Sequence, residues 1–157
     1  MLNDHKKGMT ALEILLIMAV LGIIFAIVIP QFSKMKENQV LKNAVGDVSS
    51  SLNKARSETL ASLGSSSYGV HFQSDKIIIF KGTVFSPSDS NNEIINIISP
   101  ATISNVTLAG VSGSSGDVYF NRLSGIPNKA TPNFITISTD SSSRIITISA
   151  TGLISID

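Results

Sequence analysis

The chain reads as an α+β protein: one long N-terminal helix, membrane-spanning in its first half, packed on an antiparallel β head. Three observations point there. Met9 to Ile29 is almost unbroken in Leu, Ile, Val, Ala and Met. From Leu41 to Thr59 apolar residues recur every three or four positions, the period of a helix with one buried face. From Ser65 onward the period falls to two, and clusters of turn formers separate short β-branched runs, as in hairpins.

The bulk composition bounds the function. The 157 residues suffice for one modest domain and an anchor. Charged residues make up 15%, below the usual level of about a quarter, and Ser, Thr and Asn take their place. Formal net charge is +1, and without residues 1–8, which hold Asp4, Lys6 and Lys7, basic and acidic side chains are equal in number. Such a balance makes no general electrostatic case for nucleic acid or an anionic surface. The absence of cysteine excludes disulfides, thiolate metal sites and cysteine nucleophiles. It leaves the compartment open, because a secreted domain with a sufficient core needs no disulfide.

At about 1.5 Å per residue, Met9–Ile29 makes about 30 Å of helix, the thickness of a hydrocarbon core. Only Thr10 and Glu13 interrupt its apolar character, and Ile14 to Ile29 carries no further charge. A lone carboxylate costs about 2.5–3.5 kcal/mol at a bilayer centre and less near the edge, so Glu13 calls for a partner. Three readings compete. A conventional signal peptide has an apolar core of about 7–15 residues and a small-residue cleavage site after it. Here the run is longer, and Ile29-Pro30-Gln31 is a poor site. An ordinary membrane anchor fits the length but leaves Glu13 unexplained. The third reading places cleavage before the run, at Gly8–Met9, so that the helix stays in the mature chain.

Lys6-Lys7-Gly8, Met9, Thr10, Leu12, Glu13, the Leu/Ile/Val run, Gly22 and Pro30 together resemble the class III signal of type IV pilins and type II secretion pseudopilins. The resemblance implies that residues 1–8 are a leader, that a prepilin peptidase cuts between Gly8 and Met9, and that the new Met9 amine is methylated. Glu13 then becomes the fifth mature residue, as in the family. Met9 departs from the phenylalanine common at the first mature position but stays apolar. The implied partners are other pilin or pseudopilin subunits, the prepilin peptidase, an inner-membrane assembly platform and membrane lipid.

The chemistry agrees with that resemblance. Cleavage frees an α-amine at Met9, cationic near neutral pH. Glu13 of one subunit could pair with that amine on a neighbour, offsetting part of the burial cost and fixing the stagger of otherwise slippery apolar helices. Lys6 and Lys7 before the run favour an amino end in the cytoplasm. The chain would then cross the cytoplasmic (inner) membrane once, with its head in the periplasm, before entering a pseudopilus. Lys34 and Lys36 on the far side weaken the asymmetry.

Residues 9–29 form the membrane span, and residues 30–63 continue it as an amphipathic helix. Pro30 removes one helical hydrogen bond and is expected to kink the helix. Leu41, Ala44 or Val45, Val48, Leu52, Ala55 and Thr59 form the apolar stripe, with Lys42, Asp47, Asn53, Lys54 and Arg56 between them. The stripe is expected to pack on the chain's own sheet. Gly46 and Ser49–Ser51 lower helix propensity and mark a place for a local break. Gly64 is the expected C-cap. A helix over 9–63 would be about 80 Å long, a length natural for a filament subunit.

Residues 64–157 form the head. Tyr68–Phe72 and Lys76–Gly82 read as a hairpin around Gln73-Ser74-Asp75, with Tyr68, Val70 and Phe72 on one face. Further strands are expected at Glu93–Ile98, Thr102–Leu108, Asp117–Asn121, Asn133–Ser138, Arg144–Ser149 and Leu153–Ile156. Ser86–Asn92, Gly110–Gly116, Ser124–Thr131 and Asp140–Ser143 read as turns and loops. Ile135 and Ile137 should face the core with Ile146 and Ile148. Ala55-Arg56-Ser57-Glu58-Thr59-Leu60, the Tyr68–Gly82 hairpin, Val118–Gly125 and Ile148–Ile154 resemble segments of the GspH/FimT-type minor pseudopilins.

Each candidate site also has a plain packing role. His71 is the one histidine beyond the leader. On a strand, opposite in parity to Val70 and Phe72, it is expected to face solvent or bond locally. No nucleophile–histidine–acid set assembles around it, so the chain is not expected to be an enzyme and no cofactor is implied. Asp89-Ser90-Asn91-Asn92-Glu93 offers oxygens of the kind calcium takes but lacks EF-hand spacing and reads as a plain turn. Asn105-Val106-Thr107 fits a glycosylation triplet inside an expected strand. Arg56 and Glu58 could pair with the head. Lys76, Lys81, Arg122, Lys129 and Arg144 are too dispersed for a strong DNA footprint. The function that follows is a minor pseudopilin, a structural subunit of a periplasmic pseudopilus in a type II secretion or type IV pilus system. A DNA-binding pilin-like subunit of an uptake machine is the alternative.

Overall fold

The computed structural model describes residues 10–157. Helix α1 runs Ala11–Leu60, followed by a short 3-10 turn at Leu63–Ser65. Strands follow: β1 (Tyr68–Phe72), β2 (Lys76–Lys81), β3 (Glu93–Asn96), β4 (Thr102–Leu108), β5 (Val111–Gly113), β6 (Gly116–Tyr119), β7 (Asn133–Ser138), β8 (Ser143–Ile148) and β9 (Ile154–Ile156). The chain divides into two compact units, Met1–Lys36 and Glu37–Asp157.

The described part of the first unit is the opening stretch of α1. Leu12, Leu15, Phe25 and Ile29 are each more exposed than buried. An apolar surface this continuous needs apolar surroundings. Among the described residues α1 is the helix long and apolar enough to cross a membrane. The chain stays helical through Pro30, although proline supplies no N–H to the ladder.

In the second unit α1 buries Leu41, Ala44, Val45, Val48, Ser51, Leu52, Ala55 and Thr59, the stripe that the spacing predicts. The helix does not break at Gly46 or at Ser49–Ser51. Ser51 Oγ donates to the Asp47 carbonyl at 2.7 Å, and Asn53 Nδ2 donates to the Ser49 carbonyl at 3.0 Å. The polar groups therefore bond back onto the helix instead of competing with it. The helix ends at Leu60, short of the expected Leu63, and Gly64 is not its cap. Ser62 takes the left-handed conformation first, at φ 51°. Buried Thr59 marks the stop: its hydroxyl donates to the Ala55 carbonyl and accepts the Tyr68 N–H, both at 2.8 Å. That bond ties the start of β1 to the last helical turn.

The strands form two antiparallel sheets, ordered β3-β2-β1-β6 and β5-β4-β7-β8-β9. The β1–β2 hairpin pairs Val70 with Ile79 and Phe72 with Ile77. The β7–β8 hairpin pairs Ile135 with Ile146, and Ile135, Ile137, Ile146 and Ile148 are all fully buried. β3 stops at Asn96, earlier than expected, and β5 lies in a stretch expected to be a turn. One core takes in the buried face of α1, Val70, Phe72 and Ile77 from the first sheet and Ile103, Ile135 and Ile146 from the second. An N-terminal apolar helix whose later half packs on an antiparallel β head is a pilin-like architecture.

Candidate functional site

The predicted site residues Gly8 and Met9 lie outside the described residues. Glu13 lies in the first turn of α1, and Thr10 is the residue before it. Thr10 Oγ1 accepts the Glu13 N–H at 3.3 Å, and the Thr10 carbonyl accepts the N–H groups of Glu13 and Ile14 at 3.1 and 3.2 Å. This is the N-cap arrangement, with a glutamate three residues after a capping threonine. It places the Glu13 carboxylate at the positive end of the helix dipole. That position is worth about 0.3–1 kcal/mol at an exposed site. The cost of a lone charge in lipid is about 2.5–3.5 kcal/mol at the centre and less near the edge, where Glu13 lies, and the cap offsets part of it. The threonine–glutamate spacing ahead of an apolar run is the sequence signal for this cap.

A second junction sits at the far end of the same helix. Arg56 Nε donates to the Gly125 carbonyl at 3.1 Å, and its Nη2 donates to the Thr151 carbonyl at 3.2 Å. Gly125 (φ 63°) and Gly152 (φ 77°) are both left-handed, a region glycine enters without penalty. The space is as restrictive as the backbone. A Cβ on Gly152 would fall 2.2 Å from the Gly125 carbonyl oxygen and 2.9 Å from Arg56 Nε. A Cβ on Gly125 would meet the Leu60 side chain at 3.1 Å. Three segments far apart in sequence thus close on one guanidinium. Glu58, the other residue expected to reach the head, makes no ion pair with a described residue.

Of the two expected arrangements His71 takes the local one, half-buried and bonded near its own strand. Its ring stacks on Phe85 with centroids 3.9 Å apart and planes 6° from parallel. Gln73 Nε2 lies 3.3 Å from its Nε2. Nδ1 has no hydrogen-bond partner, and Asp117 Oδ1 stands off at 3.9 Å. Burial pushes the His71 pKa below its ordinary value, and the Asp117 charge opposes that shift. Phe85 comes from the loop after β2, which no periodicity marked as a cover for the sheet.

In the Asp89–Glu93 loop, Asp89 Oδ1 accepts the Asn91 backbone N–H at 2.9 Å and its side-chain Nδ2 at 2.7 Å. These bonds, the backbone one foremost, hold the Asp89 carboxyl below the usual range. Glu93 is taken up by Lys54. The loop's acidic groups are therefore committed to the chain itself. Among the described residues no group of three or more histidine and acidic side chains converges in a way that could hold a metal ion. Several cations are engaged within the chain: Lys54 on Glu93, Arg56 on two carbonyls, Arg122 on the Ser65 carbonyl at 3.0 Å. No family model, curated protein or solved structure matches this chain.

Proposed function

We propose that this chain is a pilin-like structural subunit, most like the GspH/FimT-type minor pseudopilins, that assembles into a periplasmic pseudopilus of a type II secretion or type IV pilus system. The observation that carries the reading is Glu13: one carboxylate, at the capped start of a bare apolar helix, with no further charge before Lys34. The helix end relieves part of its cost in lipid, and a neighbouring subunit's Met9 amine would supply the rest. In this reading residues 1–8 are removed by a prepilin peptidase and the Met9 amine is methylated. The work is mechanical, not catalytic: subunits leave the inner membrane for a growing fibre, and Glu13 sets their stagger. The junction at Arg56, Gly125 and Gly152 supports the narrower assignment, because it gives three of the resembling segments one structural reason to occur together. The DNA-uptake alternative ranks second, since several of the head's cations are bound within the chain.

Glu13→Gln tests the reading. Expressed with its own assembly machinery, the variant should enter the membrane fraction at the normal level. Cross-linking between neighbouring subunits should drop sharply. Cross-linked oligomers at the parent level would refute the stagger role.

A further inference from the structure

A cleft in the head unit is lined by Asn38, Leu41 and Lys42 of α1 and by Ser142, Ser143 and Arg144 at the start of β8. Its volume is about 470 Å³, within the range of about 300–1,000 Å³ typical of ligand sites. Its chemistry is one-sided. Lys42 and Arg144 offer two cations, and neither forms an ion pair with a described residue. Asn38, Ser142 and Ser143 add neutral donors, and buried Leu41 forms an apolar wall. Glu37, next in sequence to Asn38, accepts a hydrogen bond from the Ser141 hydroxyl and does not line the cleft. Both cations are exposed and line the same cleft, so an anion entering it meets two positive charges. Guanidinium, ammonium and hydroxyl groups together match phosphate oxygens.

We propose that this cleft binds a phosphate group carried by the headgroup of an anionic phospholipid. The lipid source rests on the membrane-anchored reading above. Its support is the neighbourhood in sequence: Asn38 follows closely on Pro30, where the apolar run ends, and Lys34 and Lys36 lie between. Lys34 and Lys36 add positive charge beside the span, where lipid headgroups lie. Nucleic acid is disfavoured because a duplex needs a row of free cations, whereas Lys54, Arg56 and Arg122 are engaged within the chain.

The test uses the full chain in neutral maltoside micelles, with backbone amide shifts read by NMR. The probes are short-chain phosphatidylglycerol, short-chain phosphatidylcholine, inorganic phosphate and a short DNA duplex. Phosphatidylglycerol should shift the amides of Asn38, Lys42, Ser142, Ser143 and Arg144 and bind more tightly than phosphatidylcholine. Lys42→Gln and Arg144→Gln should each weaken that binding about fivefold, while Lys129→Gln leaves it unchanged, with amide dispersion showing that every variant is folded. Inorganic phosphate binding as tightly as phosphatidylglycerol would overturn the lipid source. Tighter binding of DNA at the same amides would replace lipid with nucleic acid. No shift at these amides with any probe would overturn the site itself. None of this depends on processing: a chain that binds lipid here but is not cut at Gly8 sinks the pilin reading alone, and a cut chain with a silent cleft sinks the cleft alone.

Discussion

Replacing Arg56 by methionine removes the guanidinium and keeps an unbranched stem on the helix. Two bonds are lost, one from Nε to the partly buried Gly125 carbonyl at 3.1 Å and one from Nη2 to the exposed Thr151 carbonyl at 3.2 Å. A hydrogen bond from a charged donor contributes about 1.5–3 kcal/mol. The exposed carbonyl regains water, so the second bond adds little, and the pair together should be worth about 2 kcal/mol. That is small against a global stability of about 5–15 kcal/mol, so the loss should be felt at the junction first. Hydrogen exchange of the full chain in micelles reads it directly. The Asn121 N–H bonds to the Ile126 carbonyl, Gly125 N–H to Asn121, and Gly152 N–H to Ser149, all at 2.8–2.9 Å. These amides should exchange about thirtyfold faster in Arg56→Met, the equivalent of about 2 kcal/mol, while β7 amides keep their rates. A change of less than about twofold at the junction, or equal acceleration in β7, would refute a local clamp.

Two further outcomes are expected. Because burial lowers the His71 pKa below 6.5, the unfolded chain takes up this proton first as pH falls. Stability is then full above the unfolded value and declines as pH drops towards and through the folded one. Unfolding free energy measured from about pH 7.5 to about pH 5.5 should fall more steeply in the parent than in His71→Gln, and equal slopes would contradict the desolvated ring with its unbonded Nδ1. Two glycines should answer oppositely to alanine. A Cβ on Gly69 would fall 2.4 Å from the Phe80 ring, so Gly69→Ala should destabilise by about 1–3 kcal/mol. A Cβ on Gly46 meets nothing within 4 Å, so Gly46→Ala should stabilise by up to about 1 kcal/mol. Thermal unfolding of both variants checks the pair, and a loss of stability in Gly46→Ala would be the contrary result.

The parts of the fold legible in the sequence are those where burial alone sets the pattern. The stripe from Leu41 to Thr59 and the isoleucines of β7 and β8 follow from helix and strand periods, and all are buried as expected. β5 was not legible, since Val111–Gly113 is exposed throughout and owes its strand state to pairing with β4. The division into two sheets is likewise a matter of long-range pairing, which local pattern does not encode. The helix end shifted because Thr59 spends its hydroxyl on Ala55 and Tyr68, a contact between elements rather than a propensity. At the candidate site Glu13 stood out by charge alone, whereas its cap needed the Thr10 spacing to be read as a start signal. Arg56 was visible as a cation near a helix end. Its true partners are backbone carbonyls, and these have no sequence signature beyond the glycines that let them approach.

The central claim concerns the amino end, and the intact mass of the mature chain tests it most directly. Purified from membranes of cells with their own processing enzymes, the protein should have the mass of residues 9–157 plus one methyl group. Fragmentation should place that methyl on the Met9 amine. A mature chain beginning at Met1 or Leu2, or anywhere after Pro30, would contradict the account.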